Sequence, residues 1–311
     1  MVDVFRNGEN MLNVIAVIWD FDKTLMPGYM QDPIFNHFNV NSTDFWKEVN
    51  ELPQKYGKDI RVNKDTIYLN QFIADAQPGK RFDGLNNEML KAFGKQLHFY
   101  EGIPEIFQKT KQIADLKPEY AEYGIKVEHY VVSTGMAEMI RGSIIAKDVS
   151  GIWGCELAEH EINGKNVIGE TIYTIDNTSK TRALFEINKG IPQNPDIDVN
   201  AKMEDSIRRV PFGNMIYIAD GPSDVPAFSL INRYGGSTFA IYPKGDDKAF
   251  KQVEKLREDG RINMYAEANY KEGTTAYMWI TNKIEKYANR ICESERRKIQ
   301  NSISDVPKHL V

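Results

Sequence analysis

Four short apolar runs interrupt a sequence in which polar and apolar residues are otherwise mixed. Near-continuous apolar runs of this length are typical of strands that are buried on both faces of a parallel sheet. A helix-like segment follows each of the first three runs, and this alternation predicts an α/β fold with a doubly wound, Rossmann-like parallel sheet. Ligands of such sheets bind at the carboxyl ends of the strands. The runs span residues 14–19, 127–132, 215–219 and 237–242.

The first two runs are separated by about a hundred residues, whereas a crossover between parallel strands needs only a few tens. Apolar residues such as Phe45 and Val49 recur at helical spacing within this stretch. We therefore predict a helical cap domain at residues 27–98, inserted after the first strand. Residues 1–26 and 99–311 are predicted to form the α/β core domain.

Three further features are predicted beyond the second run. Asn163-Gly164 indicates a tight hairpin turn, because this dipeptide adopts positive φ angles at little cost. Residues 190–213 are rich in Pro, Asn and Asp and predict a loop excursion. An amphipathic pattern that begins near Thr274 predicts a helix that covers the sheet.

The charge and cysteine content narrow the class of protein. A formal net charge of −5 argues against a general nucleic-acid-binding protein, whose surface is basic. The two cysteines, Cys155 and Cys292, lack metal-ligand spacing and indicate a reducing compartment. The sequence before residue 14 has no apolar run long enough for a signal peptide or a membrane span. We expect a cytoplasmic protein without nucleic-acid or membrane partners.

Two aspartates, Asp20 and Asp22, directly follow the first apolar run in the motif Asp-Phe-Asp-Lys-Thr-Leu. Like charges this close raise each other's pKa, an arrangement that is useful where a cation binds or a proton is transferred. The alternative interpretation is a turn in which one of the two aspartates caps a helix.

A second pair, Asp220 and Asp224, follows the third apolar run and flanks a Gly-Pro turn. Carboxylate oxygens are ligands that Mg²⁺ prefers, and Asp20 and Asp220 would lie on neighbouring strand ends. The alternatives are a turn role for Asp220 and a helix cap formed by Ser223 or Asp224.

Two weaker signals lie between the aspartate pairs. Ser133 ends the second strand, where a hydroxyl and backbone N–H groups can bind a phosphate oxygen. Such a residue is more often a helix N-cap. Lys180 stands at the start of a predicted helix, a position where a lysine is usually a solvated surface charge.

In this order, the four groups resemble the four motifs of the haloacid dehalogenase superfamily. In that family Asp-x-Asp-x-Thr comes first, then a Ser or Thr after a strand, then a Lys, then paired aspartates after a strand. The run from Asp220 to Asp224 and the place of the helical insertion most resemble the phosphoserine phosphatase branch. That branch has Ser-Gly-Gly where this chain has Ser133-Thr134-Gly135, so either hydroxyl is a candidate for the phosphate contact.

The resemblance implies a Mg²⁺-dependent phosphatase. Asp20 would attack phosphorus and become an aspartyl phosphate, while Asp22 would protonate the leaving oxygen and then activate water. Asp20, the backbone carbonyl of Asp22 and Asp220 would hold the metal, with Asp224 bound to it directly or through a water. Lys180 would hold phosphate oxygens together with the hydroxyl group at the end of the second strand.

The implied substrate is a small phosphorylated metabolite that the cap selects, with phosphoserine as the default. Dehalogenases of this superfamily lack the second aspartate of the first motif, so Asp22 favours phosphate chemistry. Two alternatives stay open: a phosphotransferase or phosphomutase that uses the same residues, and a binding protein that keeps the fold without turnover. The sequence leaves the oligomeric state open.

Overall fold

The computed structural model describes residues 13–57 and 59–304, with side chains to residue 301. The sequence before residue 14, where no signal peptide is predicted, lies outside the described residues except for residue 13. In the described chain one sheet has seven strands: β1 (Asn13–Trp19), β2 (Ile125–Met136), β3 (Gly151–Ile162), β4 (Lys165–Tyr173), β5 (Met215–Ala219), β6 (Ser237–Tyr242) and β7 (Met264–Glu267).

The strands lie in the order β4-β3-β2-β1-β5-β6-β7. Neighbouring strands of the described sheet are parallel, except for the antiparallel pair β3 and β4. Helices flank the sheet, so the predicted α/β doubly wound fold is confirmed. They are α1 (Asp32–His37), α2 (Ser42–Lys55), α3 (Ile67–Asp75), α4 (Asn87–Gly94), α5 (Glu105–Lys111), α6 (Pro118–Glu122), α7 (Ala137–Gly142), α8 (Lys180–Lys189), α9 (Val225–Arg233), α10 (Asp247–Glu258) and α11 (Thr275–Ser304).

The central strand β1 is buried on both faces, as its uninterrupted apolar run predicts. Ile15, Val17 and Trp19 belong to one apolar cluster, and the alternate residues belong to the cluster on the opposite face. All four predicted strands are present, at β1, β2, β5 and β6. Of the helices in the described ranges, none combines the length and apolar character that a membrane span needs.

The hairpin of β3 and β4 extends the sheet at one edge. Its turn is the predicted Asn163-Gly164 pair, with φ angles of 52° and 76°. Neither strand was predicted, because their outer halves are exposed and their apolar residues are interspersed with Glu, His and Gly. Strand β7 was also missed, since it is short and its apolar character is weak.

The C-terminal helix α11 covers one face of the sheet, as predicted. Its residues Ile280, Ile284 and Tyr287 are buried in the apolar cluster that also contains Ile15 and Val17 of β1. The excursion at 190–213 contains two short 3-10 turns, Asp205–Ile207 and Phe212–Asn214.

The insertion between β1 and β2 is helical, as predicted, and contains α1 to α4. Its interior is aromatic, with Phe35, Phe45, Phe72 and Phe82 in mutual ring contact. These buried rings form one continuous apolar cluster with the side chains on one face of the sheet. The division of the chain into a cap domain and a core domain stays a prediction.

Two glycines let helix α4 of the insertion approach helix α7 of the core at backbone distance. A Cβ atom placed on Gly94 would lie 2.1 Å from the carbonyl oxygen of Met139. A Cβ atom on Gly142 would lie 1.9 Å from the carbonyl oxygen of Lys91. Both atoms belong to backbone, which cannot move aside as a side chain can, so this contact fixes the insertion against the helix that follows β2.

The variant Gly142→Ala is expected to lower the free energy of unfolding by at least about 2 kcal/mol, because the added methyl group must separate the two helices. Urea denaturation measures this change. The control is Gly213→Ala, where an added Cβ would have its nearest neighbour at 3.6 Å, an ordinary contact distance. Equal stability of the two variants would contradict the close approach of α4 and α7.

Candidate active site

The predicted site residues lie at the carboxyl ends of three adjacent strands, β2, β1 and β5, except for Lys180, which begins helix α8. This placement follows from the parallel sheet, whose loops at one edge all follow strand ends. Asp20 and Asp22 follow β1, and Ser133 and Thr134 lie in the last part of β2. Asp220 follows β5, Asp224 immediately precedes α9, and Lys180 is the first residue of α8.

Lys180 is buried between two aspartates. Its ammonium group donates hydrogen bonds to Asp20 Oδ1 at 2.8 Å and to Asp224 Oδ1 at 2.6 Å. Burial alone would lower the pKa of Lys180, but the two carboxylates outweigh it and hold the pKa above its usual value. The surface-charge interpretation is wrong for this residue, which is 1% exposed.

Asp20 is buried and accepts hydrogen bonds on both oxygens. Lys180 binds Oδ1, and the Thr24 hydroxyl donates to Oδ2 at 3.2 Å. Burial raises the pKa of Asp20 to about 6, with a smaller rise from Asp224 and an opposing effect from Lys180. The backbone N–H of Asp20 donates to the carbonyl of Ile218 at 2.9 Å, which fixes the end of β1 against β5.

Asp22 connects the first motif to the helical insertion. Its Oδ1 accepts a hydrogen bond from the backbone N–H of Met30 at 2.8 Å. Burial raises the pKa of Asp22 to about 8, and the charge of Asp20 adds to the rise. These effects favour the protonated carboxyl group, which can donate a proton.

Three carboxylates form a group with the dimensions of a metal site. One oxygen from each of Asp20, Asp220 and Asp224 lies within 4.8 Å of the others. The side chain of Asp22 is outside this group, and its predicted contribution is its backbone carbonyl. Burial, followed by the charges of Asp20 and Asp224, raises the pKa of Asp220 to about 7.

The donor set fits a hard divalent cation. Three carboxylates converge here with one buried ammonium, that of Lys180, and burial, followed by the charges of Asp20 and Asp224, raises the pKa of Asp220. All the converging oxygens are carboxylate oxygens, which Mg²⁺ binds in preference to nitrogen or sulfur. Asp20, Asp220 and Asp224 are therefore the residues that could hold such an ion.

Ser133 and Thr134 lie where β2 leaves the regular sheet. The pairing of β2 with β3 shifts register between Val132 and Met136. Ser133 is buried, and its Oγ accepts a hydrogen bond from the N–H of Gly135 at 3.0 Å. Its N-cap interpretation is wrong, because Met136 occupies the N-cap position of α7. The carbonyl of Thr134 accepts a hydrogen bond from the Tyr68 hydroxyl of the insertion at 2.8 Å.

Asp224 does not cap α9 with its side chain. Its Oδ1 instead accepts hydrogen bonds from Lys180 and from the Tyr217 hydroxyl, each at 2.6 Å, and its Oδ2 accepts from Ser223 at 2.9 Å. Sequence analysis missed Tyr217. Its signal was present, because it is the one hydroxyl-bearing residue in the otherwise aliphatic run Met-Ile-Tyr-Ile-Ala.

Comparison with known proteins places the chain in a family and a fold. No protein-family model matches it. It is 37% identical over 289 residues to an uncharacterized protein of Borreliella burgdorferi, covering 88% of this chain and 97% of that protein, and the chain belongs to the same family. A haloacid dehalogenase family hydrolase from Salmonella enterica serovar Typhi has a similar structure, with a TM-score of 0.51, 14% identity and coverage of 82% of this chain and 68% of the other.

A phospho-aspartyl intermediate analogue of phosphoserine phosphatase is also similar in structure. The TM-score is 0.50 at 15% identity, covering 87% of this chain and 99% of the other. At these identities the comparisons establish the fold. The predicted fold, that of haloacid dehalogenase family hydrolases and of phosphoserine phosphatase, is therefore confirmed.

The variant Asp220→Asn is expected to be more stable than the wild type in EDTA at pH 8, by about 1–3 kcal/mol. The raised pKa of Asp220 means that the folded state favours the protonated form. This contribution to stability is complete below pH 3.8 and is lost as the pH rises through about 7. Urea denaturation at pH 5 and pH 8 measures the difference, which should shrink at pH 5.

The exposed variant Asp259→Asn is the control, because it removes the same charge outside the carboxylate group. Adding Mg²⁺ should raise the stability of the wild type and of this control, and should leave Asp220→Asn nearly unchanged. Equal Mg²⁺ responses in all three proteins would show that the carboxylate group does not bind the ion.

Proposed function

We propose that this protein is a Mg²⁺-dependent phosphomonoester hydrolase that acts on a small phosphorylated metabolite through an aspartyl-phosphate intermediate. One observation carries the proposal: the carboxylate of Asp20 lies within a group of carboxylates and is bonded to the buried ammonium of Lys180. A nucleophile for phosphate needs positive charge beside it, because carboxylate and phosphate are both anions. The haloacid dehalogenase fold supports this assignment.

The metal would be held by Asp20, Asp220 and Asp224, with the backbone carbonyl of Asp22. When bound, Mg²⁺ neutralises negative charge on the phosphate and on the carboxylate that attacks it. The surplus of negative charge in this group supports the assignment, since the described site supplies one buried cation, Lys180, among these aspartates.

Asp20 is the proposed nucleophile. One of its oxygens would form a bond to phosphorus while the bond from phosphorus to the leaving oxygen breaks, which divides one difficult displacement into two easier ones. Lys180 would hold a non-bridging phosphate oxygen, where charge accumulates in the transition state. The hydroxyl of Ser133, or that of Thr134, would hold another.

Asp22 is the proposed general acid and base. Its raised pKa favours the protonated form, which can deliver a proton to the leaving oxygen. As a carboxylate it would then remove a proton from the water that hydrolyses the aspartyl phosphate. The hydrogen bond from Met30 holds its side chain in place at the start of the insertion.

We further propose that residues 27–98 are a cap domain that selects the leaving group. Tyr68 of this segment contacts the backbone of Thr134, and Met30 contacts Asp22, so the insertion lies beside the residues proposed to act on phosphate. Phosphoserine remains the default substrate, because a site that the proposed cap covers would admit small substrates.

The variant Asp20→Asn is expected to lose at least about 1,000-fold in turnover, because an amide cannot form the covalent intermediate. Lys180→Ala should lose about 100-fold or more, because an ammonium that faces the transition state is removed. The assay is Mg²⁺-dependent release of phosphate from p-nitrophenyl phosphate, with EDTA as the metal-free reference. Asp259→Asn is the control and should retain full activity.

Retention of substantial activity by Asp20→Asn would refute the nucleophile assignment. Transfer of the phosphoryl group to an added alcohol in preference to water would identify a phosphotransferase. Absence of any turnover, with phosphate still bound, would identify a binding protein that keeps the fold. A panel of phosphorylated metabolites that includes phosphoserine then tests the substrate.

A further inference from the structure

Tyr217 is a buried polar-tipped side chain in the central strand β5. It is fully buried, and its ring packs edge-to-face against Phe228 with centroids 5.6 Å apart. Its neighbours Ile216 and Ile218 are aliphatic and point to the opposite face of the sheet. A buried tyrosine hydroxyl needs a hydrogen-bond partner, because leaving it unpaired costs stability.

The partner of the Tyr217 hydroxyl is the carboxylate that anchors Lys180. The hydroxyl donates to Asp224 Oδ1 at 2.6 Å, and the Lys180 ammonium donates to the same oxygen at 2.6 Å. A carboxylate oxygen has about two lone-pair sites, so these two donors saturate Oδ1. Ser223 donates to Oδ2 at 2.9 Å.

We propose that Tyr217 is a positioning residue, which holds the Asp224 carboxylate so that this carboxylate fixes the Lys180 ammonium beside Asp20. The inference deepens the proposed phosphatase function and rests on it for its kinetic consequence. The chain of contacts runs from Tyr217 through Asp224 and Lys180 to Asp20, and each link is between 2.6 and 2.8 Å.

The positions of Lys180 and Asp224 explain why the Asp224 carboxylate needs Tyr217 as a third hydrogen-bond donor, besides Lys180 and Ser223. Lys180 begins α8 and Asp224 immediately precedes α9, so each lies where its element joins a loop. Without the hydroxyl of Tyr217, the Asp224 carboxylate can turn toward Ser223 and away from Lys180. The Lys180 ammonium would then keep only one of its two carboxylate partners, Asp20, and would move toward it. An ammonium drawn onto the nucleophile is misplaced for the phosphate oxygen, and small displacements of this kind are costly for turnover.

The test is the isosteric variant Tyr217→Phe, which removes the hydroxyl and keeps the ring. Its kcat for p-nitrophenyl phosphate at saturating Mg²⁺ is expected to fall about 10-fold, because the Lys180 ammonium is displaced from the phosphate oxygen. In a Lys180→Ala background the same change should alter the residual kcat by less than about twofold, because the positioned group is already absent.

The matched control is Tyr287→Phe. It removes the hydroxyl of another buried tyrosine, on helix α11. This hydroxyl donates a hydrogen bond to Ser237 Oγ at 2.6 Å. Both variants are expected to unfold at similar urea concentrations, and Tyr287→Phe should keep wild-type kcat. A wild-type kcat for Tyr217→Phe would overturn the proposal. An equal loss in kcat with and without Lys180 would also overturn it, because the hydroxyl would then act independently of the ammonium.

A second measurement is independent of turnover. Binding of inorganic phosphate in the presence of Mg²⁺, measured by calorimetry, should weaken about 10-fold in Tyr217→Phe relative to the wild type and to Tyr287→Phe. The weakening should vanish in the Lys180→Ala background. If the wild type binds phosphate without hydrolysing any ester, the phosphatase proposal fails while this comparison still decides the role of Tyr217. Equal phosphate affinity of the wild type and Tyr217→Phe would overturn that role.

Discussion

The candidate site depends on the burial of one ammonium group between two carboxylates. Lys180 is 1% exposed, and a charge removed from water to this degree costs several kcal/mol unless it is paired. Its partners, Asp20 and Asp224, come from segments that are distant in the sequence and are carried by different elements. The ion pairs are therefore satisfied only when β1, α8 and the start of α9 are all in their native positions. The same contacts that complete the fold place the ammonium beside the proposed nucleophile.

The site is nevertheless electrostatically unfavourable without a further cation. Burial, together with the neighbouring carboxylates, disfavours the ionised forms of Asp22 and Asp220 and raises the pKa of both groups. Apolar burial on both faces of the central strands offsets this unfavourable electrostatic free energy. The segment before α11 adds a direct support, because the Tyr270 hydroxyl donates to the carbonyl of Thr24 at 2.6 Å. The C-terminal region thus stabilises the loop that carries Asp20, besides covering the sheet.

The sequence alone predicts those parts of the molecule in which local pattern and burial agree. The central strands are apolar throughout, and the paired aspartates follow them directly, so both the sheet and the acidic site residues were predictable. The turn between β3 and β4 was also predictable, but the two strands were not, because a half-exposed edge leaves no continuous apolar run. The burial of Lys180 was also hidden, since its partners lie 160 and 44 residues away. The role of Tyr217 was missed for a different reason, because it depends on where the turn after β5 places Asp224, seven residues further along the chain.

The contacts between the insertion and the core differ in how firmly they fix the two parts. At Gly94 and Gly142 the backbones of α4 and α7 are in direct contact, which leaves no side chain to rearrange. The Tyr68 hydroxyl bonds to backbone beside Ser133 and is partly buried. On the side of Lys180, Asn63 bonds to Asp176 at 2.9 Å in an exposed position, where water competes for both partners. The contact of α4 with α7 therefore fixes the insertion beside the end of β2, next to the hydroxyls proposed to hold phosphate. The exposed contact near the start of α8 contributes little to holding it there.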